Sequence, residues 1–245
     1  MTRLLVPYHL DEYLPDLDLT VTGPDTVTVD LPPGDTWSRL AVLYAAVAGR
    51  VAAATRPVVY SGDCTTSLGT VAGLQRAGID PAVVWFDGHG DVQTVETTGS
   101  GYVGGMPLRI LVGYRPELIA EPLGLRPVAE SDVVLVDARD LDPPEAEYLG
   151  TSAIRRCAVA DVSTETLPDK PIYLHVDLDV VDPEDLPGLR FPAPGGPDLA
   201  AVGGALRRVL ATGRVVAVGI CCTWYPGSGA SGSAHPLLDG VLAGW

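Results

Sequence analysis

The sequence predicts an α/β chain, a doubly wound and mostly parallel sheet with helices on both faces. Its strand-like segments are continuous apolar runs, the pattern of strands buried on both sides. They alternate with segments whose apolar residues recur at helical spacing. Two acidic motifs fall at the carboxyl ends of two such runs, where sheets of this kind bind ligands. The chain has 245 residues, 47% of them apolar, enough for one sizeable core, so a single domain over residues 1–245 is expected.

Arg3–Tyr8 reads as the first strand. A stretch rich in Asp and Pro follows, Asp11 to Asp35, with room for a short edge strand at Val27-Thr28-Val29. Trp37–Ala54 carries apolar residues at helical spacing behind a capping Asp35 or Thr36. Val58–Ser61 is a short buried strand that turns at Gly62-Asp63, and Thr66–Ala77 is helical and stops at Gly78. Ala82–Asp87 bears the first acidic motif. The polar stretch Val92–Gly105 reads as a loop, and Pro107–Val112 as the start of a short helix. Val133–Val136, Pro144–Leu149 and Arg156–Val159 repeat strand, helix and strand. Ile172–Val176 bears the second motif and Asp185–Pro197 is a Pro/Gly-rich loop. Asp198 caps a helix to Ala211, Val215–Cys222 is the last strand, and a short helix closes the chain at Trp245.

The formal charge is −15, a surface that repels nucleic acid and anionic membranes but not a cationic small molecule. The four cysteines, Cys64, Cys157, Cys221 and Cys222, show neither zinc-ribbon spacing nor a disulfide ladder. The apolar run Leu4-Leu5-Val6 is too short for a signal peptide, and no run reaches the ~18 residues of a membrane span. The expectation is a cytoplasmic chain with reduced thiols and a small-molecule substrate, with a homo-oligomer left open.

The first motif is Asp87-Gly88-His89-Gly90-Asp91 and the second is Asp177-Leu178-Asp179. Side chains alternate along an extended chain, so Asp177 and Asp179 should project the same way, as should Asp87 and His89 if the strand persists. His175 is read as structural and off that face. Carboxylates this dense repel one another unless a cation neutralises them. Either motif alone suits an acidic strand-to-loop turn equally well. Together they point to a metal site, with two ions the simplest account. Mixed oxygen and nitrogen donors suit Mn(II), Fe(II), Co(II) or Zn(II) more than Ca(II).

The pair resembles the ureohydrolase family of arginases and agmatinases. Asp87–Asp91 resembles the family's Asp-Ala-His-x-Asp block. Asp177–Pro183 with Pro194-Gly195-Gly196 resembles its Asp-x-Asp, Asp-Pro and Pro-Gly-Gly segments. The resemblance implies a three-layer arginase-like fold and two Mn2+ ions per chain. It also implies that Asp87 and Asp177 bridge the ions, that His89 and Asp179 complete one site and that Asp91 belongs to the other. Asp91 and Asp177 are counted as catalytic as well as ligating. The implied nucleophile is a metal-bridging hydroxide that attacks a guanidinium carbon.

Departures from the family pattern qualify this. The family's Gly-Gly-Asp-His block appears as Ser61-Gly62-Asp63-Cys64, so a histidine ligand is replaced by Cys64. Two readings stand: a softer thiolate ligand, favouring Zn, Fe or Co relative to Mn, and a buried free cysteine. The family's His-Gly-x-Pro appears as Gly104-Gly105-Met106-Pro107, which removes the implied proton shuttle. Counted from Gly219, the guanidinium-binding glutamate falls at Trp224, and the flanking Cys221, Cys222 and Thr223 carry no charge. Gln93 and Ser100 fall where the family meets the substrate's carboxylate end. Asp142 either helps hold an α-amino group or caps the helix at Pro143.

Cys64, the Asp-Gly-His-Gly-Asp block and the Thr97–Met106 loop together resemble the Nω-hydroxy-L-arginine amidinohydrolase branch of the family. His9 reads as a surface histidine, with a replacement imidazole as the alternative, and His235 is uncommitted. The function expected is metal-dependent hydrolysis of a C–N bond in a guanidino or N-hydroxyguanidino amino acid. The alternatives are a hydrolase of another amide or amidine, and a non-catalytic paralogue of the same fold.

Overall fold

The computed structural model describes all residues from 1 to 245 except 16, 18–20, 22, 222, 223 and 226. The chain opens with β1 (Thr2–Val6), the hairpin β2 (Tyr8–His9) and β3 (Glu12–Tyr13), and β4 (Asp25–Thr26). Then come α1 (Thr36–Ala53), β5 (Pro57–Ser61), α2 (Thr66–Arg76) and β6 (Ala82–Asp87). The short helices α3 (Pro107–Leu111) and α4 (Ala120–Leu123) lead to β7 (Val133–Asp137), α5 (Pro143–Thr151) and β8 (Arg155–Cys157). β9 (Ile172–Asp177), α6 (Leu199–Ala211), β10 (Val215–Cys221) and α7 (Ala230–Leu242) complete it.

Eight strands form one sheet in the order β4-β1-β5-β10-β9-β6-β7-β8, and every neighbouring pair is parallel. The period of two sends alternate strand residues into two cores. Val83, Trp85, Val133, Leu135 and Tyr173 enter one; Val84, Phe86, Val134, Val136 and Leu174 enter the other. α1 covers the first core with Leu40, Leu43, Tyr44, Val47 and Val51, the stripe its helical spacing predicts. α6 and α7 cover the second, through residues such as Val202, Leu206, Leu238 and Val241. The doubly wound, mostly parallel α/β architecture expected from the sequence is therefore present, and its continuous apolar runs are its central strands.

The caps also follow the sequence. Asp35 accepts from the Ser38 amide at the head of α1, and Asp198 accepts from the Ala201 amide at the head of α6. Differences lie at the edges. The first predicted strand is split at Pro7, which has no N–H to give a ladder, and Tyr8–His9 turns away into the small hairpin. The edge strand pairs with β1 through Asp25 and Thr26, two residues before Val27-Thr28-Val29. The Cys222 end of the last predicted strand, Thr223 and parts of the Asp/Pro-rich stretch lie outside the described residues.

Candidate metal centre and its cavity

Sheet register builds the site. Ser61 of β5 pairs with Cys221 of β10, and Cys221 pairs with Asp177 of β9. Phe86 pairs with Val176, so Asp87 ends β6 one step beyond that pair, beside Asp177. The turns after these carboxyl ends supply the remaining groups.

Cys64 follows the turn after β5. Its Sγ lies 2.8 Å from Asp177 Oδ2 and 3.9 Å from Asp87 Oδ2. Ligand atoms of Cys64, Asp87 and Asp91 fall within 4.8 Å of one another, as do those of Asp87, His89 and Asp179. The two groups share Asp87, the disposition that two ions with a common carboxylate require. Asp91 gives a second sign. Its φ is +53°, in the left-handed region that favours glycine, and its Oδ2 is buried without a hydrogen-bond partner among the described residues. A buried carboxylate oxygen with no donor is costly unless a cation meets it. On that test these residues fit a binuclear metal group, with thiol, imidazole and carboxylate donors suited to first-row divalent ions.

The electrostatics agree. Burial, reinforced by Asp87 and Asp177, pushes the Asp91 carboxyl well above its ordinary range. Burial with Asp179 and Asp87 does the same to Asp177. Asp179 is pushed up to about 6 by burial and by Asp87. His89 Nδ1 lies 3.0 Å from Asp179 Oδ2 and 3.5 Å from Asp87 Oδ1. Burial opposes its charge, but these two carboxylates outweigh it and raise His89 to about 12. Burial also works against the Asp87 anion, yet His89 holds it below the usual carboxylate range. Without a cation, the cluster therefore gathers protons in its place.

Asp179 reaches the cluster by a route other than strand alternation. β9 ends at Asp177, and Asp179 sits in the 3-10 turn Leu178–Val180, with its amide donating to Asp177 Oδ1 at 3.0 Å. Arg139 fixes that turn by donating to the carbonyls of Asp179 and Val180, at 3.1 and 3.0 Å. His175 requires a correction. Residues 175 and 177 share a face, and His175 Nε2 lies 3.3 Å from Cys64 Sγ. Its ring stacks on Trp85 at 3.5 Å, and burial pushes it down to about 3, so it is a neutral imidazole behind Cys64. Period two, applied correctly, would have found it.

A cavity of about 160 Å³ opens above the cluster. Its lining includes Cys64, Asp87, His89, Asp91, Asp177 and Asp179, and also Gln93, Ser100 and Asp142. Gln93 Nε2 donates to Asp142 Oδ2 at 2.7 Å, so these two act as a pair. Asp142 is also the N-cap of α5, its helix-capping reading, and it lines the cavity as well. Glu145, absent from the sequence reading, lines the cavity too and accepts from the Val92 and Asp142 amides, both at 3.1 Å. The capping-box spacing Asp142-x-x-Glu145 was its signal. Tyr102 is a second residue missed, with its Oη 2.7 Å from His9 Nε2. Burial, then the charges of Asp63 and Cys64, push that phenol upward. Trp224 belongs to the second core, and His235 pairs with Asp239 on α7.

The arginase family model matches residues 5–223. The chain belongs to the arginase family. It is 31% identical over 211 residues to an arginase of Bacillus subtilis, covering 77% of this chain and 71% of that one. It is 35% identical over 134 residues to an N(omega)-hydroxy-L-arginine amidinohydrolase of Streptomyces lavendulae, covering 53% of this chain and 47% of that protein. The chain thus spans about half the length of that second relative. Among solved structures, the arginase of Bacillus caldovelox superposes with a TM-score of 0.85 at 21% identity, over 98% of this chain and 97% of that one. At that identity the likeness establishes the arginase fold, in agreement with the sheet order above. No helix among the described residues is long and apolar enough to cross a membrane.

Proposed function

We propose that this arginase-family chain is a metal-dependent hydrolase that cleaves a C–N bond of an N-hydroxyguanidino or guanidino amino acid. The observation that carries the reading is the pair of ligand groups sharing Asp87 at the floor of the cavity. Cys64, Asp87, Asp91 and Asp177 would hold one ion; Asp87, His89, Asp177 and Asp179 would hold the other. Two such ions supply a hydroxide near neutral pH and a counter-charge for the oxygen it forms on carbon. The remaining roles fall to the chain. The Asp142 carboxylate, oriented by Gln93, suits an α-amino group, and the Ser100 hydroxyl on the rim suits the neighbouring carboxylate.

Substrate charge follows from which carboxylates are engaged. Asp63 accepts from the Leu10 and Thr65 amides at 2.6 and 2.8 Å, and Glu145 from the two amides given above. Among the described residues, the lining carboxylates outside the ligand groups are then Asp63 and Glu145, each held by two backbone amides, and Asp142, assigned above to the α-amino group. Hydroxylation lowers the basicity of a guanidine, so more of it is neutral near pH 7. A neutral carbon centre meets hydroxide with less need for an opposing charge.

The expected result is a higher kcat/KM for an N-hydroxyguanidino amino acid than for L-arginine, with hydroxyurea as product and about two metal ions per chain by elemental analysis. A preference for arginine would overturn the substrate assignment. Cleavage of an unrelated amide alone would favour the reading as an amide or amidine hydrolase, which the position of Trp224 away from the cavity supports. A metal-free chain inert to every substrate would leave the non-catalytic reading.

A further inference from the structure

We infer that Tyr102 and His9 form the proton-delivering pair of this site, with Tyr102 Oη as the group that protonates the departing nitrogen. The inference rests on the proposed C–N hydrolysis and adds a residue-level role to it. An alkylamine leaves a tetrahedral carbon only as the neutral amine, so a proton must reach nitrogen as the bond breaks. The groups of the cavity floor proposed above to hold the ions, Asp91 among them, would be deprotonated to do so, and Glu145 accepts from the Val92 and Asp142 amides. The Gln93 amide is committed to Asp142. Thr98 and Ser100 are rim hydroxyls that accept from the Gly101 and Tyr102 amides of their own loop, with no imidazole behind them. Tyr102 is different on each count.

Its place in the cavity depends on Gly104. A Cβ added at Gly104 would fall onto Tyr102 Cζ and Oη, well inside contact distance. The phenol thus occupies the volume that any side chain at 104 would take. Phe191 packs on the Tyr102 ring with centroids 5.0 Å apart, and His9 meets the ring edge-on at 5.8 Å. His9 is only partly buried, so it can exchange protons with solvent. Its hairpin is fixed to the turn that carries Cys64: the Leu10 amide donates to Asp63 Oδ2 at 2.6 Å, and the Gly62 amide to the Tyr8 carbonyl at 3.0 Å. The pair and the cluster are thereby held to one turn.

The proton accounting closes. As the C–N bond breaks, its electron pair goes to nitrogen, which takes the Tyr102 Oη proton. Oη takes the proton carried on His9 Nε2, and the His9 ring recovers one from solvent. That last proton replaces the one released when water became the hydroxide now bound to carbon.

The test uses the metal-loaded full chain. Tyr102→Phe should lower kcat by about 10²–10⁴-fold, the usual range for general acid catalysis, with KM and metal content near wild type. His9→Ala should lower kcat similarly, and added imidazole should restore part of it, which a purely structural role would not permit. In the metal-free protein, Tyr102→Phe should shift the His9 Nε2 nuclear magnetic resonance signal, a readout independent of turnover. Wild-type kcat in Tyr102→Phe, or a His9→Ala loss confined to KM and insensitive to imidazole, would overturn the pair while leaving the hydrolase intact. A wild-type chain that cleaves no C–N bond would instead remove the reading on which the pair rests.

Discussion

Burial pushes the Cys64 thiol well above its ordinary range, and its hydrogen bond with Cys221 and the charge of Asp177 add to the effect. A metal ion reverses that balance, because a coordinating thiol is deprotonated outright. The thiolate so formed is softer than an imidazole, which moves the preference of that position toward zinc, iron or cobalt. Ligand atoms of His175 and Cys221 lie within 4.8 Å of Cys64, and neither residue is part of the cavity lining. With an ion on Cys64 they would orient the sulfur, as the layer behind a metal ligand commonly does. Cys64→Ser keeps the size of the side chain and removes the soft donor. Elemental analysis should then find about one of two ions lost, with the other retained on Asp87, His89, Asp177 and Asp179. Unchanged stoichiometry and activity would make Cys64 a bystander in the core.

At the scale of elements, the site is a set of turns hung on strand ends, and Gly62 is the glycine of these turns that lies tightest against backbone. A Cβ there would run into the Tyr8 carbonyl oxygen and reach within 3.1 Å of its carbon, both backbone atoms that cannot swing aside. Gly62→Ala should therefore displace the His9 hairpin, destabilise the chain by about 1–3 kcal/mol and weaken the His9–Tyr102 contact. A thermal midpoint and kcat equal to wild type would refute this anchoring. The same contrast explains what was legible beforehand. Ala82–Asp87 was readable to the residue because a buried parallel strand is a continuous apolar run bounded by polar residues. Five of the six clustered residues were readable because they come in two short motifs, Asp87–Asp91 and Asp177–Asp179, and Cys64 came from a third segment, Ser61–Cys64. Tyr102 was not, and His9 entered only as an alternative imidazole, since the two lie 93 residues apart and meet only through the packing of a hairpin against a loop. The turn that carries Asp179 was also hidden, because an Asp-x-Asp after a strand suits continued extension as well as a 3-10 turn.

Across the whole molecule, the cluster should make stability depend on pH in opposite senses with and without metal. A carboxyl raised above its unfolded value binds protons more tightly in the folded state, so stability falls as pH rises through the folded value. Asp179, pushed up to about 6 by burial, and Asp91 and Asp177, pushed well above their ordinary range, all act this way. His89, raised to about 12, adds stability that is complete below its unfolded value near 6.5 and is lost as pH rises toward 12. His175, lowered to about 3 by burial, and Asp87, held low by His89 despite burial, act in the other sense, but their losses come on acidification below about 6.5. Between pH 6 and 8 the first set dominates, and the formal charge of −15 adds self-repulsion as protons leave. The chelator-treated chain should therefore melt at a higher temperature at pH 6 than at pH 8. Divalent ions need the same ligands deprotonated, so saturating Mn(II) or Zn(II) should reverse the order. At a free ion concentration about 100 times its Kd, one site contributes about 2.7 kcal/mol. For a chain of this size that is roughly 5–10 °C. Calorimetry at both pH values, with and without metal, measures both trends; a metal-free midpoint that rises from pH 6 to 8 would show that the carboxylates are neutralised by something other than the protons they hold here.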